Sequence, residues 1–267
     1  MNKLISKLVN FREYLNANPL SIFHSKFGRL ESDVSDLFAF RLDGYETVFI
    51  AENSLALLLS EHLECEHIFH FFDANGRGCG IHKVISDKFH YSLNIDEVMT
   101  GGVRLGGFVH HVRYPHDLTK KHSALFLDIL FQHRGYTGFR RNSKSNFSFF
   151  HGNFGLIYID GTKIKSLARA RDKHVYTPQF TIKPEYGYDL IFSNPVDRQI
   201  CIKFFLQSND SSKVVDECCI LSHATHMLTI KTGSVLQESN ISWETSLPVG
   251  RCVVFEYKDE YFDVFHS

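Results

Sequence analysis

Residues 66–85 read EHIFHFFDANGRGCGIHKVI, and this stretch decides the fold class. Two runs rich in aromatic and β-branched residues, Glu66–Phe72 and Ile81–Ile85, flank a turn in which Asn75-Gly76 favours the positive φ of a hairpin. The glycines do not follow the GxGxxG or GxxxxGK(S/T) spacing of phosphate-binding loops, and such loops need a following helix. The stretch therefore predicts an antiparallel β-hairpin.

Similar turn-bounded apolar runs recur along the rest of the chain. The predicted strands are Glu46–Ile50, Phe89–Ile95, Gly107–Tyr114, Phe147–His151, Phe154–Ile159, Ile200–Leu206, Val214–Ile220, Met227–Ile230 and Cys252–Tyr257. The element order of the first half recurs in the second half. We therefore expect a mainly β protein with two antiparallel β-sandwich-like modules.

Two helices are expected beside the strands. Leu4, Leu8, Phe11 and Leu15 recur at helical spacing and predict an N-terminal amphipathic helix. A central helix is predicted over Ser123–Gln132, which is apolar almost all round. The expected domain organisation is, in chain order, a helical lead-in over 1–30, a first β module over 31–116, a central basic region over 117–177 and a second β module over 178–267.

The second β module also resembles a known module type. Phe192-Ser-Asn-Pro195, the alternating strand that follows and the return strand ending in Phe255-Glu-Tyr257 are similar to small β-sandwich modules of the sensory rhodopsin transducer type. The resemblance covers residues 188–257, about a quarter of the chain. It implies a sandwich fold for this part and carries no functional residue with it.

Composition excludes several classes of protein. With 267 residues, 43% of them hydrophobic and 22% charged, the chain is long enough for one or two globular domains and too apolar for wholesale disorder. No stretch approaches about 18 uninterrupted apolar residues, so no membrane span is expected. The six cysteines show no CxxC pair, and we interpret them as reduced thiols of a soluble cytoplasmic protein.

The net charge of −1 hides a basic centre. Residues 120–174 hold 11 Lys and Arg against 3 Asp and Glu, a formal net of +8, between flanks of −4 and −5. In the segment Lys163–Lys173, cations alternate with small or apolar residues, which on one strand would form an anion-binding ridge or a charge-protected edge. The asymmetry predicts an anionic ligand: an acidic glycan, a sugar phosphate or a nucleotide sugar.

The candidate ligand-binding residues lie around a glycine-bearing connection and a polar interruption between two strands. They are Arg134, Tyr136, Arg140, Arg141, His151 and Asn153. Guanidinium groups grip carboxylate or phosphate in a fork, aromatic rings stack, and glycines let backbone approach a ligand. The alternative is a surface hairpin after a helix end, which leaves Arg140 and Arg141 without partners nearby in sequence.

A second hypothesis is an enzyme acting on a carbohydrate-type substrate. Its catalytic candidates are His116, Asp117 and His151, used as acid and base. In its metal-dependent version His110, His111 and His116 bind a divalent transition metal, although His110 and His111 on one strand would point to opposite faces. The leading hypothesis needs no cofactor.

A third hypothesis is a structural module that forms a homo-oligomer through apolar sheet faces. Nucleic acid is disfavoured as a partner, because the acidic flanks would repel a long polyanion. A structure that shows whether the arginines, His151 and the His116 loop converge would separate a site from scattered surface residues.

Overall fold

The computed structural model describes residues 34–99, 101–121, 132–133, 135–141, 146–160, 163–166, 168–208, 211–248 and 250–267. In this part of the chain the fold is mainly β, as predicted, with antiparallel sheets and short helices. The predicted N-terminal helix and lead-in, residues 1–30, lie outside the described residues. Arg134 lies outside them as well.

The first half of the chain forms two sheets. Its strands are β1 (Val34–Arg41), β2 (Glu46–Glu52), β3 (Cys65–Asp73), β4 (Gly78–Ser86), β5 (His90–Asn94), β6 (Leu105–Arg113), β7 (Gln132–His133), β8 (Gly135–Arg140), β9 (Ser148–His151), β10 (Asn153–Asp160) and β11 (Lys163–Ser166). The large sheet runs β11-β10-β1-β6-β3-β4, with β7 parallel to β1. The small sheet runs β5-β2-β8-β9.

The predicted hairpin at 66–85 is confirmed as β3 and β4. The Asp73 carboxylate oxygen Oδ1 accepts hydrogen bonds from the backbone N–H groups of Asn75 and Arg77, both at 2.9 Å. Gly76 takes φ 77°, the left-handed conformation that the turn requires. A Cβ on Gly76 would also come within 2.1 Å of the Ser222 carbonyl oxygen, so the turn packs directly against the second half of the chain.

Short helices connect strands of the first half. They are α1 (Ser54–Leu59), α2 (Ile95–Val98) and α3 (His116–Lys121). The predicted central helix falls mostly on residues that the structure does not describe. Its predicted end at Gln132 is wrong, since Gln132 lies in β7 and pairs with Val34 of β1.

The second half forms another pair of sheets. Its strands are β12 (His174–Tyr176), β13 (Thr181–Ile182), β14 (Gly187–Ser193), β15 (Ile200–Ser208), β16 (Ser211–Ile220), β17 (Thr225–Ile230), β18 (Ser239–Thr245), β19 (Val253–Lys258) and β20 (Tyr261–His266). One sheet runs β12-β18-β15-β16, with β13 on β18, and the other runs β17-β14-β19-β20. The predicted strands at 200–206, 214–220, 227–230 and 252–257 are confirmed within a few residues at each end.

Each half buries its aromatic residues between its two sheets, which makes each half a sandwich. In the first half Phe38 of the large sheet meets Phe49 of the small sheet edge-on, with ring centroids 4.6 Å apart. In the second half Phe192 packs edge-on against Trp243 at 5.1 Å, and the Trp243 indole N–H donates to the Gly250 carbonyl at 2.7 Å. Alternating side chains supply these cores, as the strand patterns predicted.

A further apolar cluster joins the two sandwiches. Ala39, Tyr45 and Phe139 of the first pack against Val253 and Phe255 of the second. The Tyr45 and Phe255 rings meet edge-on at 5.2 Å. Burial of these side chains fixes the two sandwiches against each other.

Two cysteines form a disulfide, so the interpretation of all six as reduced thiols is wrong. Cys201 and Cys219 are directly opposed partners on β15 and β16, and their sulfurs are bonded. The neighbouring Cys218 points to the other face, towards the core, where burial raises the pKa of its thiol to about 12. The pairing depends on the hairpin register and therefore has no sequence motif.

Candidate functional site

Arg140 is the last residue of β8 and Arg141 follows it directly, and the two side chains reach different partners. Arg140 forms an ion pair with Glu46, its cross-strand neighbour on β2, and lies 4.5 Å from the Phe147 ring. Arg141 donates from Nη1 to the Asp259 carbonyl oxygen at 2.8 Å. The two arginines therefore have partners, 94 and 118 residues away in sequence, and do not form one fork for an anion.

The predicted glycine-bearing connection is part of strand β8. A Cβ on Gly135 would come within 2.1 Å of the Phe49 ring, and a Cβ on Gly138 within 2.4 Å of the Phe149 ring. Both glycines make room for aromatic rings of the protein. They do not open the backbone to a ligand, which corrects the role expected for them.

Three candidate residues do share one surface, the side of the small sheet that faces away from the first core. We call it the outer face; its exposed rings are Tyr136, 43% exposed, and Phe149, 46% exposed. Tyr136 is the cross-strand partner of exposed His151, and the Phe149 ring lies over Gly138, two residues along β8 from Tyr136. The Arg140–Glu46 pair lies on the same face, one further step along β8.

His151 is held by backbone groups around it. Its ring Nδ1 lies 2.9 Å from the Gly152 carbonyl oxygen, and because a carbonyl only accepts, Nδ1 carries the proton. Nε2 of the neutral ring is then an acceptor. The His151 carbonyl in turn accepts from Nε2 of His266 at 2.6 Å. The polar interruption predicted at His151-Gly-Asn153 is the place where the chain crosses from the small sheet to the large sheet.

Close packing explains why a glycine, Gly152, lies at this crossing. A Cβ there would come within 2.5 Å of the Phe38 ring and 2.7 Å of the Asp36 carboxylate. Asn153 begins β10 in the large sheet, and its side chain lies outside the description. His151 therefore belongs to the small sheet and the backbone of Asn153 to the large sheet.

The histidines proposed as metal ligands are not brought to one place. His110 faces the first core, where its Nε2 lies 2.9 Å from Nδ1 of His67, while His111 packs against His70 on the other face of the large sheet. His116 begins α3, with its side chain 79% exposed. Over the described ranges, no group of three or more His, Cys, Asp or Glu side chains could hold a metal ion.

The catalytic candidates are also apart. The carboxylate of Asp117 lies 4.0 Å from the ring of His116, and both side chains are open to solvent. His151 belongs to β9 in the small sheet and contacts His266. Among the contacts of described residues, none joins His151 to His116 or Asp117. This arrangement does not assemble the proposed acid and base pair.

A buried polar chain in the first core was missed by sequence reasoning. The Cys65 sulfur lies 3.5 Å from Nε2 of His67, and His67 lies 2.9 Å from His110. Burial raises the pKa of the Cys65 thiol to about 12 and lowers the pKa of His67 to about 4. Both groups are thus neutral at pH 7, which fits a structural role better than a nucleophile and its base. The signal was the alternation Cys65, His67, Phe69, which puts all three on one face.

Exposed cations also lie on the segment that connects the two sandwiches in sequence. We call residues 168–173, which follow β11 and lead into β12, the basic linker. Lys163–Lys173 does not form one strand, the condition for a continuous ridge, because β11 ends at Ser166. Ala168 is buried and Ala170 packs on the second core, while Arg169 and Arg171 are exposed. The backbone N–H of Arg171 donates to the Ser246 carbonyl at 2.9 Å, which holds the linker to the second sandwich.

The basic linker borders a depression open to solvent, lined by Ala170, Arg171, Asp172, Lys173 and His174. Lys173 pairs with Glu244 at 3.3 Å. Arg169 and Arg171 have no ion pair or side-chain hydrogen bond to the described part of the chain. Three cations of the predicted ridge, Arg169, Arg171 and Lys173, lie here, whereas Lys163 and Lys165 lie on β11. The leading candidates Arg140 and Arg141 have partners elsewhere.

Comparisons with known proteins add little to this geometry. No protein-family model matches the sequence, and no curated protein matches it. Three solved structures show a distant likeness. They are the infectious bursal disease virus Gx strain (TM-score 0.16, 9% identity, 90% of this chain and 56% of that chain), the infectious bursal disease virus VP2 subviral particle (TM-score 0.16, 10% identity, 90% and 56%) and the β-glucuronidase of Bacteroides uniformis (TM-score 0.13, 10% identity, 86% and 25%).

The chain spans just over half the length of the two viral chains. With TM-scores this low, the likenesses carry no argument about fold or function. The resemblance of residues 188–257 to the transducer-type modules stays a prediction. Within the described residues, no helix is both long enough and apolar enough to cross a membrane.

Proposed function

We propose that this protein binds an anionic ligand through the basic linker. The observation that carries the proposal is the presentation of Arg169 and Arg171: they alternate with buried Ala168 and partly buried Ala170, so both point outward, and neither is neutralised by a carboxylate of the described residues. In an extended chain, residues two apart are separated by about 7 Å. Two guanidinium groups at that spacing suit one or two acidic groups of a ligand.

The chemistry of the linker supports phosphate, sulfate or carboxylate groups as the bound moiety. Guanidinium groups donate in planar pairs to such oxygens. The His174 ring donates from Nδ1 to the Asp172 carbonyl at 3.2 Å, which leaves Nε2 of the neutral ring as an acceptor for a hydroxyl at the depression. An acidic glycan, a sugar phosphate or a nucleotide sugar carries both kinds of group.

Anchoring of the linker favours binding. Because Ala168 and Ala170 are packed and the Arg171 N–H is hydrogen-bonded, the backbone loses little freedom when a ligand arrives. An open depression suits a ligand whose acidic groups project from a larger body. The acidic flanking segments of the sequence disfavour a long nucleic acid.

The test is retention on heparin and phosphocellulose matrices along a NaCl gradient. The Arg169→Gln, Arg171→Gln double variant should elute at clearly lower salt than the parent, because screening by salt weakens exposed charge contacts. The control is Lys213→Gln, Lys231→Gln, which removes the same charge from exposed positions of the second sandwich. If both double variants elute together, or if the parent is not retained at low salt, the proposal fails.

A further inference from the structure

The outer face of the small sheet has the composition of a ligand surface that is distinct from the basic linker. Its side chains form cross-strand rows: Ser92, Ile50, Tyr136 and His151 in one row, and Asn94, Val48, Gly138 and Phe149 in the next. Neighbouring strands lie about 4.8 Å apart, so each row spans about 14 Å. Tyr136 and Phe149 place two exposed aromatic rings in these neighbouring rows.

The two rings follow one another along β8. Tyr136 projects from β8 itself, and the Phe149 ring reaches over Gly138, two residues further on, a step of about 7 Å. Only glycine at position 138 leaves room for the Phe149 ring, since a Cβ would come within 2.4 Å of it. The rings therefore form an open aromatic track and do not close over each other.

The charges of this face argue against a polyanion. Among the described strands of the small sheet, its charged side chains are Glu46, Glu52 and Arg140, a formal net of −1. Arg140 is already paired with Glu46. A phosphate or sulfate polymer would be weakly repelled here, whereas it would be attracted by the basic linker.

The free polar atoms beside the rings suit hydroxyl groups. In the tautomer whose Nδ1 donates to the Gly152 carbonyl at 2.9 Å, Nε2 of His151 can accept a hydrogen bond. The Tyr136 hydroxyl makes no hydrogen bond to the described part of the chain, and it can donate or accept. A carboxylate and a guanidinium held together at Glu46 and Arg140 offer one acceptor and several donors. A hydroxyl, which both donates and accepts, matches this set.

We infer that the outer face of the small sheet binds neutral polysaccharide, with sugar rings stacked on Tyr136 and Phe149. The C–H face of a pyranose ring is apolar and flat enough to lie on an aromatic ring, and its rim carries the hydroxyl groups that His151 and the Glu46–Arg140 pair can hold. The two rings follow one another along β8, which suits an extended chain of sugars.

The experiment is affinity electrophoresis of the full chain in gels that contain xylan, galactomannan or hydroxyethyl cellulose. The parent should be retarded by at least one of these neutral polymers. Tyr136→Ala and Phe149→Ala should each weaken that binding about tenfold, the effect of losing roughly 1.4 kcal/mol of ring contact. Gly138→Ala should weaken it as well by displacing the Phe149 ring, and circular dichroism checks the fold of each variant.

The matched control is Tyr261→Ala, because Tyr261 is an aromatic residue of the second sandwich with similar exposure, 47%. It should bind within about twofold of the parent. Absence of retardation in all three gels would overturn the inference. So would equal binding by parent, Tyr136→Ala and Phe149→Ala, or ring-dependent binding that occurs only with an acidic polymer such as alginate.

The two proposals fail separately. The Arg169→Gln, Arg171→Gln variant should keep its binding to the neutral polymer, and Tyr136→Ala should keep its elution from heparin. If one variant abolishes both kinds of binding while its fold is intact, the outer face and the basic linker are not two separate binding sites.

Discussion

Arg41 and Asp189 form a buried ion pair across the two sandwiches: Nη1 of Arg41 donates to Oδ2 of Asp189 at 2.7 Å. The pair joins β1 of the first sandwich to β14 of the second. The guanidinium lies 4.1 Å from the Tyr45 ring centroid, and the Thr229 hydroxyl donates to the other carboxylate oxygen at 2.6 Å. The contact therefore sets the orientation of one sandwich on the other, between the aromatic residues that seal the interface.

Removing one partner of this pair should be costly. Asp189→Ala leaves the Arg41 charge buried, and we expect a loss of about 3–5 kcal/mol in the free energy of unfolding. Replacing both, as in Arg41→Met, Asp189→Leu, should cost less, since no unpaired charge remains. Urea denaturation of the single and double variants measures this difference. Equal losses for Asp189→Ala and the double variant would show that the charges are not coupled.

The buried phenylalanines give a second prediction. Phe71 and Phe204 are 2% and 0% exposed, in the cores of the first and second sandwich. Phe71→Ala or Phe204→Ala should lower the free energy of unfolding by about 3–5 kcal/mol, because each leaves a cavity. Phe149→Ala, at an exposed ring, should change it by less than about 0.5 kcal/mol. Similar losses at all three positions would contradict the burial pattern.

Stability should fall in mild acid. Burial lowers the pKa of His67 to about 4 and also lowers the pKa of His70, His223 and His266. An unfolded histidine binds a proton near pH 6.5, so between about pH 6.5 and 4 the unfolded state gains protons that the folded state excludes. The free energy of unfolding should therefore decrease as pH falls through this window.

Chemical denaturation at a series of pH values tests this. His67→Gln keeps a polar side chain that does not titrate, so its stability should depend less steeply on pH than that of the parent. An unchanged slope in the variant would remove His67 from the explanation. Tyr136→Phe serves as the control, since it removes no histidine and lies on the exposed outer face.

The disulfide gives a fourth prediction. Cys201 and Cys219 are 18 residues apart, and closing a loop of that length stabilises a fold by about 2–4 kcal/mol. Cys201→Ser, Cys219→Ser should lose stability of that order, and reducing agent should then have no further effect. Cys79→Ser, at an exposed free thiol, is the matched control and should leave the unfolding midpoint unchanged. A parent insensitive to reductant would contradict the pairing.

The local part of the fold was predictable from the sequence. The Asp73-Ala-Asn-Gly76 turn with its flanking apolar runs predicted β3 and β4, because turn geometry and strand alternation are encoded within a few residues. Strand β1, Val34–Arg41, was missed, since it is buried on both faces and its polar Ser35 and Asp36 break the alternation that identifies a half-exposed strand. The strands β18 and β20 were also missed.

The candidate site shows the same division. Sequence reasoning selected Tyr136, Arg140 and His151, and these do share the outer face of the small sheet. It also grouped Arg141 with Arg140, although β8 ends at Arg140 and the Arg141 side chain reaches the distant Asp259 carbonyl instead. Phe149 was not selected, because its position over Gly138 depends on the register of β8 with β9.

The sequence by itself determined the mainly β class, the hairpin at 66–85 and the basic character of residues 120–174, because these follow from propensity, turn chemistry and composition. Only the tertiary structure decided which cations are paired with other groups of the protein. Glu46 and the Asp259 carbonyl reach Arg140 and Arg141 from distant parts of the chain, while Arg169 and Arg171 are left open to solvent. The physical reason is that neutralisation of a charge depends on distances in space, which strand pairing sets between residues far apart in sequence.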